Sequence, residues 1–196
     1  MPDSPPPCIA PYEMSPNSPT QQAAAPSLPV VLVGLMGVGK STIGKRLATR
    51  MQLPFIDADQ AIEAAAGLSV AEIFEKFGEN HFRDGERRVI GRLIDGRPKV
   101  IATGGGAFMQ EETRRLILDK AIAVWLDADI DVLVERVSRR EGSRPLLKDR
   151  NVRKTLEELA AIRNPVYALA PIHVRSQAQP HETTVNTILK ALEAWQ

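Results

Sequence analysis

A single cysteine, Cys8, occurs in the 196 residues, so the chain has neither an internal disulfide nor a cysteine-built metal site, which fits a reducing compartment. No Lys or Arg precedes Lys40. That leaves out both the charged start of a secretory signal and the arginines of an organelle transit peptide. The longest apolar runs, such as AIAVWL, fall far short of the roughly 20 residues that span a bilayer. Neither sign of charge dominates, since 25 Lys plus Arg face 24 Asp plus Glu. With no global basic field to recruit nucleic acid or an anionic membrane, any polyanion has to be held locally. The expectation is a cytoplasmic protein with small-molecule partners, no nucleic acid and no membrane. It is expected to be a monomer, because nothing in the sequence suggests an extensive apolar interface.

What is present divides the chain in two. Residues 1–28 are crowded with Pro, Ser, Ala and Gln and offer little that could pack, so they read as a disordered tail. From Pro29 to residue 196, short β-rich runs alternate with longer stretches of helical period, the pattern of a parallel sheet covered by helices. The candidate strands are PVVLVG, PFID, KVIATG, AIAVWLD and IHVR, which makes a five-stranded sheet. LPVVLVG and AIAVWLD do not alternate polar with apolar, as expected of central strands buried on both faces. SVAEIFEKF opens with Ser69 and Glu72 at the spacing of a capping box, and Gly78 is expected to divide that helix from the next. In folds of this kind ligands collect beyond the carboxyl ends of the strands.

The residues at those ends carry the chemistry. Gly34 to Ser41 match G-x-x-x-x-G-K-S/T, follow a predicted strand and open a helix, the context that a phosphate-binding P-loop requires. Gly37, Val38, Gly39, Lys40, Ser41 and Thr42 are the expected nucleotide-binding residues. Backbone N–H groups would turn around a phosphate chain, Lys40 would reach the terminal phosphates, and Ser41 would ligate Mg2+. The competing reading is a tight strand-to-helix turn that happens to contain Lys and Ser.

Asp57 and Asp59 stand two apart at the end of the second strand, so both would face one side if the extended geometry persists. One reading gives Asp57 to the metal and Asp59 to an acceptor hydroxyl that must lose its proton. The other makes Asp59, which precedes QAIEAAA, a helix N-cap, and the P-loop upstream favours the first. Gly104, Gly105 and Gly106 end the third strand. Either backbone there approaches a ligand closely, or the glycines supply a turn with positive φ. Arg83 and Arg163 are candidates to grip an anionic substrate through the planar guanidinium fork, although taken singly each also reads as a solvated helix charge. Arg144 lies in a long polar, basic segment with the profile of a lid that could close a cation onto a triphosphate, or of a plain surface loop. Gly85, on a predicted helix, costs about 1 kcal/mol relative to Ala and has no account in the sequence.

In order and at close to family spacing, GLMGVGKSTIG, DADQAIE, SVAEIFEKFGENHFRDGE, TGGGA, RPLL and RNPVY resemble the shikimate kinases from about Leu28 to the C-terminus. The resemblance implies a three-layer α/β/α P-loop kinase of the nucleoside-monophosphate-kinase type, with a lid. It implies transfer of the γ-phosphoryl group of ATP, with Mg2+, to the 3-hydroxyl of shikimate, a step toward the aromatic amino acids. It further implies that Asp59 holds the ring hydroxyls and accepts the proton, and that Asp57 sits near the metal. Arg83 and Arg163 would clamp the carboxylate with help from backbone around Gly105. Lys40 and Arg144 would neutralise the transferring phosphoryl. For the arginine that stacks on adenine the sequence offers Arg136, Arg139 and Arg140, and Pro180 falls where a proline-containing turn meets the base. A gluconate kinase would share the P-loop and lid but would need no paired carboxylate clamp, so Arg83 with Arg163 separates the two.

Overall fold

Four consecutive β-branched or leucine residues, Val30–Val33, form a first strand, β1, buried on both faces. The computed structural model describes residues 26–138, 151–176 and 180–195. The tail expected over residues 1–28 therefore lies outside the described residues up to residue 25.

β1 leads through the P-loop to α1 (Lys40–Met51), then to β2 (Phe55–Asp57), α2 (Ala58–Ala66) and α3 (Val70–Leu93). β3 (Val100–Ala102) is followed by a 3-10 turn (Ala107–Met109), α4 (Glu111–Lys120), β4 (Ile122–Asp127) and α5 (Ile130–Ser138). The remaining elements are α6 (Val152–Tyr167), β5 (Ile172–Arg175) and α7 (His181–Trp195). All five expected strands are present. They pair in parallel in the order β2-β3-β1-β4-β5.

This order positions the site. The chain runs from β1 to β2 toward one edge and from β3 to β4 toward the other. Right-handed crossovers in opposite directions put α1 and α4 on opposite faces, which makes three layers. Register then aligns the strand ends. Leu32 pairs with Ala102, and Ala102 with Asp57. The P-loop after β1, the carboxylates after β2 and the glycines after β3 thus leave one edge side by side. Thr103 continues β3 past its assigned end, donating from its N–H and its Oγ1 to the Leu32 carbonyl at 3.2 and 3.0 Å.

A small second core of Ile62, Ile73, Phe82 and Val89 holds α2 against α3 beside the main one. Ser69 and Glu72 form the expected capping box, and α3 breaks its helical path at Gly78 (φ 79°, ψ 174°). The break re-aims the second half of α3, and with it Arg83 and Glu86, toward the glycines after β3.

Candidate active site

The N-cap of α1 is Gly39, whose left-handed backbone (φ 99°) no β-carbon would favour, and no side chain caps the first turn. Its N-terminal amides therefore point from the P-loop into a cleft of about 720 Å³ with the partial positive charge that favours an anion. Gly37, Gly39, Lys40, Ser41 and Thr42 line one side of the cleft. Asp57, Asp59, Thr103, Gly104 and Gly105 line another, and Val132, Arg136, Pro180 and His181 close the far end. The Lys40 ammonium donates to the carbonyls of Gly34 and Leu35 at 2.7 and 2.9 Å. Ser41 Oγ donates to Asp57 Oδ2 at 2.7 Å.

The Val38 side chain is 1% exposed, in the core, and does not line the cleft. A valine between two left-handed glycines turns its apolar group inward and leaves only backbone to the loop. Its carbonyl accepts from Arg136 Nη1 at 3.1 Å. Of the three candidates for adenine, Arg136 lines the cleft with Pro180, while Arg139 and Arg140 lie outside the described residues. So does Arg144.

The two aspartates reach one side by a different geometry from the one expected. Extended backbone ends at Asp57, which is the N-cap of α2, with Oδ1 accepting from the Asp59 N–H at 3.1 Å. Asp59 is in the first helical turn. The helix N-cap expected at Asp59 is thus Asp57, because α2 begins at Ala58, and Asp57 lines the cleft as well as capping the helix. Burial, followed by the neighbouring Asp57 charge, pushes the Asp59 carboxyl above the usual aspartate range, while Lys40 pulls it the other way.

None of Gly104, Gly105 and Gly106 has a positive φ, so the turn explanation fails. Each glycine instead leaves room for a different charged side chain. A Cβ on Gly104 would lie 2.8 Å from Asp59 Oδ1 and 3.1 Å from Glu86 Oε1. On Gly105 it would lie 3.3 Å from Arg163 Nη1, and on Gly106 2.5 Å from Arg83 Nη2. Arg163 Nη1 also donates to the Gly105 carbonyl at 3.2 Å. Arg83 and Arg163, 80 positions apart in the chain, are brought to neighbouring glycines next to Asp59.

Two residues of this cluster escaped the sequence reading. Glu86, 1% exposed, accepts from Arg83 Nη1 at 2.7 Å, and burial pushes its carboxyl up despite that guanidinium. A signal existed, since Glu86 falls three residues after Arg83 and within the apolar stripe of Phe82, Val89 and Ile90. Tyr167, fully buried behind Arg163, donates to the Gly105 carbonyl, and burial pushes its hydroxyl up to about 12. Its spacing of four from Arg163 on α6 put both on one helix face.

The arrangement sets a P-loop and a buried carboxylate, Asp59, in one cleft, with two guanidinium groups at the adjoining glycines. The shikimate kinase family model matches residues 36–193. A shikimate kinase of Zymomonas mobilis is 56% identical over 178 residues, 91% of this chain and 97% of that one. Among solved structures, a shikimate kinase from Acinetobacter baumannii in complex with shikimate aligns with a TM-score of 0.81 and 33% identity, covering 86% of this chain and 94% of that one. A shikimate kinase from Aquifex aeolicus aligns with a TM-score of 0.74 and 35% identity, covering 85% and 97%. The likeness runs through nearly the whole described chain, P-loop, buried carboxylate and paired arginines included, and this protein belongs to the shikimate kinase family.

Proposed function

We propose that this chain transfers the γ-phosphoryl group of ATP to the 3-hydroxyl of shikimate, yielding shikimate 3-phosphate and ADP. The observation that carries this reading is the glycine run after β3, where Asp59, Arg163 and Arg83 converge on successive residues across the cleft from Lys40. Shikimate is a small polyol carboxylate. It needs acceptors for its hydroxyls and a cationic fork for its anion, and this cluster offers both.

In the reaction a bond forms from the 3-hydroxyl oxygen to the γ-phosphorus as the bond from that phosphorus to the β,γ-bridging oxygen breaks, and ADP leaves. Asp59 takes the hydroxyl proton. Its carboxyl, raised by burial, is a better match to a proton lost near neutral pH than an ordinary aspartate. Lys40 exchanges its loop carbonyls for phosphate oxygens, and Arg144, outside the described residues, would neutralise charge on the transferring group. Arg83 and Arg163 hold the carboxylate, so binding energy remote from the reacting oxygen orients the attack. Arg136 and Pro180 flank the adenine.

Ser41 Oγ and Asp57 form a hard-oxygen pair beside the P-loop, bonded at 2.7 Å. They suit Mg2+, which takes one or two protein oxygens and fills its shell with water and phosphate. When bound there it would neutralise charge on the phosphates. We read the enzyme as a cytoplasmic monomer. Among the described residues, no helix is long and apolar enough to cross a membrane.

ADP release measured in parallel with shikimate, gluconate and nucleoside monophosphates as acceptors tests the assignment. Turnover is expected with shikimate alone. Turnover with either of the others but not with shikimate would overturn it.

A further inference from the structure

The helix pair that carries Asp59 and Arg83 also lines a second hollow. Between α2 and α3 lies a groove of about 170 Å³ that shares no lining residue with the catalytic cleft. Its floor is apolar, built from Ile62, Phe82 and Val89 of the small core. Gly85 forms part of the wall. This is the helical glycine that the sequence left unexplained, and a Cβ there would meet nothing within 4 Å. Packing does not demand it. What the missing side chain leaves is open space in the groove.

Arg88 and Arg92 stand along the rim, three and seven residues after Gly85, so all three share one helix face. Neither arginine makes an ion pair or hydrogen bond among the described residues. Others on the same helix are matched: Arg83 pairs with Glu79 and Glu86, and Arg87 with Asp84 and Glu112. Two unmatched guanidinium groups one turn apart, over an apolar hollow, fit a carboxylate joined to an apolar body. Size narrows the body. An apolar cavity of about 150 Å³ holds a benzene molecule, so this groove accommodates one aromatic ring.

We propose that the α2–α3 groove is a second small-molecule site, which takes an aromatic monocarboxylate with its ring against Gly85 and its anion between Arg88 and Arg92. The same two helices carry Asp59, Arg83 and Glu86, so an occupant of the groove touches the scaffold of the acceptor site without entering it.

The test is calorimetric titration of the full-length chain with 3-phenylpropionate, in the presence of saturating ADP and shikimate to fill the catalytic cleft. One saturable site per chain is expected, and the neutral 3-phenylpropanamide should not bind. Replacing both arginines (R88Q with R92Q) should weaken binding at least about tenfold, the equivalent of one lost charge-assisted contact. G85L should abolish binding by filling the hollow. Both variants should retain wild-type turnover with shikimate in the absence of the probe, which shows that they fold. Absence of saturable binding, displacement of the probe by shikimate, or equal affinity in the double arginine variant would overturn the proposal.

Discussion

The Arg83 guanidinium lies where a side chain on Gly106 would begin, with Nη2 only 2.5 Å from the Cβ position. A methyl group there would displace the guanidinium from its place beside Gly106. Gly106→Ala is therefore expected to raise the KM for shikimate about tenfold while kcat falls less, since what is disturbed is ground-state binding of the carboxylate. Steady-state kinetics read this directly. An unchanged KM would separate Arg83 from substrate binding.

Asp59→Asn should lower kcat by about two to four orders of magnitude, the usual worth of a positioned base, with little change in the KM for ATP. The same substitution should raise the melting temperature at pH 7. Asp59 titrates higher in the folded chain than its ordinary value of 3.8. The folded state thus binds more protons than the unfolded one through that window, and stability falls as pH rises across it. Asparagine removes that loss. Calorimetry at pH 7 showing a lower melting temperature would contradict the burial argument.

Wild-type kcat should fall as the pH drops through the raised Asp59 value, with an acid limb centred above 3.8. A pH–rate profile at saturating substrates checks this, and a limb at or below that value would remove Asp59 as the base.

Glu86→Ala should destabilise the fold by roughly 3 kcal/mol, because it leaves the half-buried Arg83 without its inner partner while only the exposed Glu79 remains. Urea unfolding measures the loss. A cost under about 1 kcal/mol would place the pair among surface ion pairs of little worth.

Lys40→Ala should reduce turnover by several orders of magnitude, since a preorganised cation beside the phosphates acts where charge shifts during transfer. Rapid-quench measurement of a single turnover isolates the chemical step. A near-normal rate would show that the lysine serves only its two loop carbonyls.

Much of this molecule is written in short stretches of sequence. Strands β1 and β4 were legible because their residues are apolar without alternation, the pattern of a strand buried on both faces. The P-loop was legible because a phosphate cradle needs glycines, a cation and a hydroxyl at fixed spacing, all within eight residues. The capping box at Ser69 and Glu72 and the break at Gly78 are likewise local. At Asp57 the local rule gave the right side of the cleft by the wrong path: the strand ends two residues earlier than the alternation argument needs, because the Asp57 side chain caps the next helix.

Tertiary structure decided the rest, and the glycines after β3 show why. From the sequence, three consecutive glycines permit close backbone approach or unusual dihedrals, and nothing near them says which. The answer depends on Asp59 and Glu86, Arg163, and Arg83, which reach Gly104, Gly105 and Gly106 from α2, α3 and α6. The burial of Glu86 and the hydrogen bond from Tyr167 to Gly105 arise in the same way. Backbone propensity and phosphate chemistry act over a few residues and so can be read along the chain. The meeting of an arginine with a glycine depends on strand order and helix packing, which bring together groups that the chain keeps far apart.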